Sequence, residues 1–237
     1  IRSYILELTI THHSKATIKR IISALKHYYK FLYLRKYINQ DVFELISSPK
    51  GEKKLPDFLT TNEIDLLLDE NKKRTDELAD RDQAILELLY ASGLRASELI
   101  NLTLQDINMR ERIIRVFGKG SKERVVYFDA RTKIHLQNYL DSRNDNNPAL
   151  FVSLKAPYER LQIGGIETRL RKFGKQLGLH KVHPHKFRRT LATLAIDKGM
   201  PIEQVQKILG HSQIDTTMQY AMVNQSNVKT AHQRYMS

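Results

Sequence analysis

Tyr220 and His211 lie nine residues apart in the segment LGHSQIDTTMQY, and both side chains are suited to phosphodiester chemistry. A tyrosine phenol can attack phosphorus, and the covalent link that results conserves the energy of the broken bond. Such an attack requires neither a metal ion nor a nucleotide. The pair therefore predicts a nucleophile for phosphodiester transfer, provided that other residues supply cations and an acid.

Candidates for these further groups occur in three other segments. Cations must meet the non-bridging oxygens as negative charge builds there, and arginine offers two parallel donors. An acid must protonate the leaving oxygen. Arg95 lies in SGLRASEL, Lys119 in the predicted turn GKGSK, and His185 with Arg188 in HPHKFRRTLAT. The last two are three residues apart at the start of a predicted helix, which places them on one face.

The composition favours a nucleic-acid partner. The chain has 39 Lys and Arg against 26 Asp and Glu, a net charge of +13, and such a field attracts a polyanion. Residues 1–50 are basic, 57–92 acidic and 93–237 basic again, which predicts two DNA-facing surfaces. The absence of cysteine excludes disulfides and thiolate sites. No apolar run is long enough for a membrane span, so we expect a cytoplasmic, nucleoid-associated protein without membrane contact.

The chain divides into two predicted domains of a mainly α (α+β) protein. Residues 1–50 form a small helical DNA-binding domain, expected to be incomplete at its start because the chain opens with isoleucine. Residues 51–56 belong to a segment rich in proline, glycine and charge, which is typical of a linker. Residues 57–237 form a mostly helical catalytic domain with a small antiparallel β-sheet.

Residues 15–34 predict an amphipathic helix. Apolar residues recur every three or four positions, at Ile18, Ile21, Ile22, Leu25, Tyr28, Tyr29 and Leu32. Four lysines occupy a separate stripe: Lys15, Lys19, Lys26 and Lys30. One face can pack while the other meets phosphates, and a merely solvated lysine face is the alternative.

The remaining elements are predicted from periodicity and turn residues. One helix is expected to start at about residue 61. Further helices are expected over about 77–90, 130–143, 163–178, 185–198 and 201–209. Two β-branched runs, 112–117 and 124–128, flank a glycine turn and predict a hairpin. A last helix is expected over 223–235.

Five segments, in this order and covering nearly the whole chain, resemble the tyrosine recombinase (phage integrase) family. PKGEKKLPDFLTTNEIDLLL resembles the family's junction between its core-binding and catalytic domains. SGLRASELINLTLQDI resembles its first arginine box, and IIRVFGKGSKERVVYF resembles the hairpin with its lysine. HPHKFRRTLAT and LGHSQIDTTMQY resemble its second and third boxes. Agreement of all five by chance is very improbable, so the resemblance is specific.

The resemblance implies a role for each of six catalytic candidates: Arg95, Lys119, His185, Arg188, His211 and Tyr220. The two arginines would clamp the scissile phosphate, and the two histidines would hydrogen-bond it and manage protons. Lys119 would protonate the departing 5′-oxygen. Tyr220 would form a 3′-phosphotyrosine, which a 5′-hydroxyl of the partner DNA would attack in the second step.

Four further residues are assigned, two of them with alternatives. Glu98, one turn after Arg95, is a candidate to orient it, or else a surface carboxylate. Many members of the family have histidine directly after the second arginine, where this chain has Arg189. We interpret Arg189 as an extra phosphate contact or a structural substitute. Lys122 and Arg124 of the predicted hairpin complete the expected DNA contacts.

The implied function is site-specific DNA breakage and rejoining without a cofactor or metal. The expected partner is double-stranded DNA with inverted-repeat core sites, bound by a dimer to tetramer. The C-terminal helices are expected to be exchanged between subunits, and the alternative is a tail that packs on its own domain or stays mobile. Integration or excision of a mobile element is the first expectation, and Xer-type chromosome dimer resolution is the alternative.

Three readings from other classes are weighed against this one. A type IB topoisomerase would use similar chemistry but would religate the same strand. A non-catalytic DNA-binding regulator would explain the charge, but not the tyrosine together with its arginines and histidines. The segment HKVHPH could hold a metal, but no cysteine supports it and its proline restricts ligand geometry.

Overall fold

The computed structural model describes residues 2–11, 13–43, 46, 57–118 and 123–221. The helices among them are α1 Arg2–Ile10, α2 Lys15–Leu34, α3 Thr61–Lys72, α4 Ala79–Ser92, α5 Ala96–Asn101, α6 Ala130–Asp141, α7 Ile163–Gln176, α8 Pro184–Asp197, α9 Ile202–Leu209 and α10 Asp215–Ala221. The strands are β1 Ile107–Asn108, β2 Ile113–Phe117 and β3 Glu123–Tyr127. The prediction of a mainly helical fold with a small antiparallel sheet is confirmed.

The chain separates into two compact units, residues 1–54 and 55–237. In the first unit, α1 and α2 pack around four buried side chains: Leu8, Ile18, Ile22 and Phe43. Ser14 begins α2 because its hydroxyl accepts a hydrogen bond from the backbone N–H of Thr17. The predicted linker, residues 51–56, lies outside the described residues, so the predicted domain boundaries remain predictions.

Helix α2 has the predicted bounds, and the four lysines of its polar stripe are exposed. The prediction that Tyr28 belongs to the packed apolar stripe is wrong, because this residue is 57% exposed. At about 100° per residue, Tyr28 lies about 80° around the helix from Ile18, at the edge of the stripe. Tyr29 lies close to the line of Ile18 and packs against Phe43, with ring centroids 5.3 Å apart.

The core of the second unit is built around α4. This helix packs against α3, α6 and α8, and its buried side chains include Ile85, Leu88 and Leu89. Thr60 begins α3 through a capping box with Glu63. Gly93 ends α4 in the left-handed conformation, with φ of 61°, just beyond the predicted helix span of about 77–90.

The sheet is antiparallel, with strand order β1–β2–β3. Val116 pairs with Arg124, and Ile114 pairs with Val126. The buried side chains Ile114, Val116 and Val126 pack on the core of the unit. The sequence predicted the hairpin but not β1, which contributes only two residues to the pairing.

The predicted catalytic-domain helices agree with the structure to within about two residues at each end. Helices α1 and α10 were not predicted, and no bounds were predicted for α5. The helix expected over 223–235 lies outside the described residues. In the part of the chain that the structure describes, no helix combines the length and apolar character that a membrane span requires.

Candidate active site

The C-terminal end of α9 gathers three arginines. Three successive backbone carbonyls, those of residues 208–210, each accept a hydrogen bond from an arginine. The carbonyl of Ile208 accepts from Nε of Arg124 at 3.0 Å, and that of Leu209 accepts from Arg188. The carbonyl of Gly210 accepts from Nη2 of Arg95 at 3.1 Å. A helix C-terminus carries partial negative charge and unpaired carbonyls, so it favours cations. Because His211 follows directly, this end of α9 fixes a histidine beside three guanidinium groups.

Arg188 is buried, with 2% of its surface exposed. Its Nη1 donates to the carbonyl of Gly93 at 2.7 Å, and its Nη2 donates to the carbonyl of Leu209. The Arg188 side chain therefore joins the end of α4 to the end of α9. Burial, followed by the nearby charge of Arg95, lowers the pKa of Arg188 to about 10, which leaves it charged at neutral pH.

Arg95 and Arg124 share the carboxylate of Glu98. Oε1 of Glu98 accepts from Nη1 of Arg95 and from Nη1 of Arg124, each at 2.7 Å. Oε2 accepts from the backbone N–H of Arg95 and from Nη2 of Arg124, each at 2.8 Å. Burial raises the pKa of Glu98, but the hydrogen bonds from Arg124 and Arg95 outweigh it and lower that pKa to about 2. The surface alternative for Glu98 is therefore wrong, because the residue is 7% exposed.

The two predicted histidines are held neutral near pH 7. Nδ1 of His211 lies 2.8 Å from Oγ1 of Thr217, a residue with no exposed surface. Burial, then the charges of the three arginines, lower the pKa of His211 to about 4. Burial and the charge of Arg188 also lower the pKa of His185, which lies in the first turn of α8. Neutral imidazoles can accept protons or hydrogen bonds from neighbouring groups.

Tyr220 lies on α10, which packs against α8 and α9. Its ring stacks on that of His211, with centroids 6.2 Å apart and an interplanar angle of 26°. It is half-buried against the small apolar cluster of Ala192, Val205 and Leu209. The structure thus brings Tyr220 and His211 together with Arg188 and Arg95, and the charges of the two arginines also act on His185. The catalytic roles of these residues remain predictions.

The other predicted site residues have different positions. Lys119 and Lys122 lie outside the described residues. Nη1 of Arg189 donates to the backbone carbonyl of Asp57 at 3.1 Å. This contact favours a structural role for Arg189 over a phosphate contact through Nη1. Arg124, predicted as a DNA contact, has its three nitrogens directed at Glu98 and at the end of α9 instead.

Sequence reasoning missed the contacts of Arg124 and Thr217. The alternation of buried and exposed side chains along strand β3 could have indicated the contacts of Arg124. Side chains two residues apart in a strand face the same side, so Arg124 shares a face with the buried Val126 and Phe128. An arginine on a buried face requires a hydrogen-bonded partner. Thr217 has no comparable signal, because its contact depends on how the turn before α10 folds back on His211.

The segment HKVHPH shows no metal-binding geometry. The rings of His183 and His185 have centroids 6.5 Å apart. Within the described ranges, no group of three or more His, Asp or Glu residues is arranged to hold a metal ion.

The fold and the site together define a class of protein, the enzymes that transfer phosphodiester bonds through a tyrosine. The phage integrase family model matches residues 57–227. Over 230 residues the chain is 36% identical to tyrosine recombinase XerD of Oceanobacillus iheyensis, covering 94% of this chain and 76% of that protein. The chain therefore belongs to the phage integrase family. The prediction of a tyrosine recombinase, an enzyme that breaks and rejoins DNA at specific sites, is confirmed.

Two solved structures share the fold. The XerH site-specific recombinase bound to palindromic difH substrate superimposes with a TM-score of 0.83 and 22% identity, over 99% of this chain and 71% of that one. The Tn1549 transposon integrase in complex with transposon right-end DNA gives a TM-score of 0.79 and 20% identity, over 99% and 84%. At these identities, the two structures show a common fold.

Proposed function

We propose that Tyr220 attacks the scissile phosphodiester of a specific DNA site and forms a 3′-phosphotyrosine. The observation that carries this assignment is the stacking of Tyr220 on His211 beside the buried cation Arg188. The bond from phosphorus to the 5′-oxygen breaks as the bond to the phenolic oxygen forms. A neutral His211 is available to accept the phenolic proton, and Lys119 gives a proton to the departing 5′-oxygen.

The arginines stabilise the charge that builds on the phosphate. Arg188 is held by two backbone carbonyls and Arg95 by Glu98 and a third carbonyl, so neither guanidinium has to be reorganised when the phosphate arrives. His185 hydrogen-bonds the same phosphate. In the second step, a 5′-hydroxyl from a partner duplex attacks the phosphotyrosine and gives its proton to the now neutral Lys119. The bond from phosphorus to Tyr220 breaks, and the phenolate takes back the proton held by His211.

Covalent trapping tests the chemistry. The full chain is incubated with fragmented genomic DNA from its source, denatured with detergent, and the DNA that stays attached is sequenced. We expect one short site with a staggered cut, attached through its 3′-phosphate. Attachment through a 5′-phosphate, or no attachment at all, would contradict the proposal.

Strand exchange separates a recombinase from a type IB topoisomerase. Two duplexes that carry the recovered site and different end labels are mixed with the chain. A recombinase joins the labels of different duplexes, whereas a topoisomerase restores each duplex to itself.

Two biological roles use this chemistry. Integration or excision of a mobile element is the first proposal, supported by the fold shared with a transposon integrase. Xer-type chromosome dimer resolution is the second, favoured by the 36% identity to a XerD. Sites recovered at both ends of a mobile element would support the first role, and a single chromosomal site would support the second.

The proposed partner is double-stranded DNA with inverted-repeat core sites, bound in the cytoplasm on the nucleoid. The palindromic difH substrate of the XerH complex supports a symmetric site. Two to four copies of the chain act together, and the segment after Ala221 of one copy docks on its neighbour.

Complementation tests this exchange. A chain that ends at Ala221 is mixed with a full-length Tyr220→Phe variant on the recovered site. Docking between copies predicts that the mixture cleaves DNA, since the variant supplies the tail and the shortened chain supplies the tyrosine. Docking within one copy predicts no cleavage by the mixture.

A further inference from the structure

Arg124 uses all three of its side-chain nitrogens inside the protein. Nη1 and Nη2 donate to the two oxygens of Glu98 at 2.7 and 2.8 Å, and Nε donates to the carbonyl of Ile208 at 3.0 Å. Only 12% of the side chain is exposed. A bidentate arginine–carboxylate pair is directional as well as strong, so it fixes the position of both partners.

The backbone next to this arginine is shaped to admit it. Gly210 has φ of 62°, a conformation that side-chain-bearing residues rarely adopt. A Cβ atom at Gly210 would lie 2.9 Å from Cδ of Arg124 and 3.1 Å from its Nε. Glycine at this position therefore allows both the turn before His211 and the close approach of the arginine.

The contacts of Arg124 join three elements that carry the proposed chemistry. From β3, its guanidinium reaches Glu98 on α5 and the end of α9. Oε1 of Glu98 is the same atom that binds Nη1 of Arg95, so the carboxylate cannot shift without moving both arginines. The turn held through Ile208 leads within three residues to His211.

We propose that Arg124 is a positioning residue for strand cleavage. Through Glu98 it fixes the guanidinium of Arg95, and through the carbonyl of Ile208 it fixes the turn that carries His211. This inference rests on the proposed function, because it assigns Arg124 to the same reaction. The competing assignment is a direct contact with a DNA phosphate, as the sequence predicted.

The test compares Arg124→Met with Arg115→Met in the full chain. Arg115 is the matched control, since it pairs with Val125 on the exposed face of the same hairpin. The substrate is a nicked duplex with the site recovered from wild-type adducts. The measured quantities are the rate of adduct formation at saturating DNA and the dissociation constant at several salt concentrations.

Mispositioning predicts a loss of rate without a loss of binding. A displacement of reacting groups by about 1 Å costs about 100-fold in rate, and we expect a loss of that order for Arg124→Met. The dissociation constant and its salt dependence should match those of the wild type. Arg124→Lys should stay slow, because an ammonium group cannot reproduce the two-pronged contact with Glu98. The Arg124→Lys variant also provides the test if Arg124→Met does not fold.

A double variant tests whether Arg124 acts through Glu98. If it does, Arg124→Met should slow a Glu98→Gln chain far less than it slows the wild type, because both changes break the same contact.

An NMR titration of the chain without DNA accompanies this measurement. Since the charge of Arg124 contributes to the low pKa of His211, an NMR titration should show that pKa rising in Arg124→Met but not in Arg115→Met.

Other outcomes would overturn the proposal. If Arg124 contacts a phosphate, its removal should make the fall of log affinity with log salt concentration less steep by about 0.9. The cleavage rate at saturating DNA should then stay at the wild-type value. A wild-type rate with wild-type binding would also contradict positioning. A wild-type chain that forms no adduct would refute the proposed function itself and this inference with it. An active wild type with a fast Arg124→Met would refute only the role of Arg124.

Discussion

Replacing Glu98 with glutamine tests the electrostatic frame of the site. The substitution keeps the shape of the side chain but removes the charge that binds Arg95 and Arg124. The carboxamide also presents an NH₂ group to guanidinium donors, so at least one hydrogen bond is lost. Two buried or half-buried cations are then left facing each other without their anion.

The size of the effect follows from the pKa of Glu98. Its ordinary value is 4.5, and the folded protein lowers it to about 2. This difference corresponds to about 3 kcal/mol of stabilisation by the charged form at neutral pH. For a unit of this size, about 2–4 °C of Tm accompany each kcal/mol, so we expect Glu98→Gln to melt about 6–12 °C lower at pH 7.

The pH dependence has a definite sign. Because the folded pKa is depressed, the stabilisation is complete well above pH 4.5 and is lost as the pH falls towards about 2. Linkage therefore predicts that the gap in unfolding free energy between wild type and Glu98→Gln narrows by about 2 kcal/mol from pH 7 to pH 3.

Urea unfolding followed by circular dichroism at several pH values measures this gap. A gap below about 1 kcal/mol at pH 7 would refute the account, since surface pairs alone contribute that much. A gap that stays constant between pH 7 and pH 3 would also refute it, because the lost interaction would then not be that of an ionised carboxylate.

Three further changes probe the groups around the phosphate site. Thr217→Val removes the hydroxyl that contacts His211, and we expect about tenfold slower single-turnover cleavage with unchanged DNA affinity; equal rates would exclude a role for this contact. An NMR titration should place the pKa of His211 near 4 and find it higher in Arg95→Met, whose cation contributes to the lowering; an ordinary value in the wild type would contradict the geometry. Arg188→Lys leaves one of two backbone carbonyls without its donor, so calorimetry should show a loss of about 1–3 kcal/mol, and an unchanged melting curve would count against this bridge.

Local patterns in the sequence account for most of the fold. Helix α2 was predicted at its observed bounds because apolar periodicity is a local property of the chain. The end of α4 lies within two residues of its predicted position, because helices commonly end before a glycine and Gly93 follows Ser92. Tyr28 shows the limit of this reasoning, since a residue at the edge of a stripe is buried or exposed according to what packs beside it.

The catalytic candidates were also found in the sequence, but the interactions that hold them were not. Arg124 and Glu98 are 26 residues apart, and strand alternation places the arginine on the buried face without naming its partner. The carbonyls of residues 208–210 become a binding site for three arginines only once α9 ends in a left-handed turn. Such contacts depend on tertiary structure, which no short segment encodes.

The central claim is that Tyr220 is the nucleophile. The most direct measurement is mass spectrometry of the peptide that remains attached to the recovered DNA site after proteolysis, for wild type and Tyr220→Phe. The account predicts a 3′-phosphate on Tyr220 in the wild type. In Tyr220→Phe it predicts DNA binding of wild-type affinity and no covalent product. An adduct formed by Tyr220→Phe, or a link that maps to another residue, would contradict it.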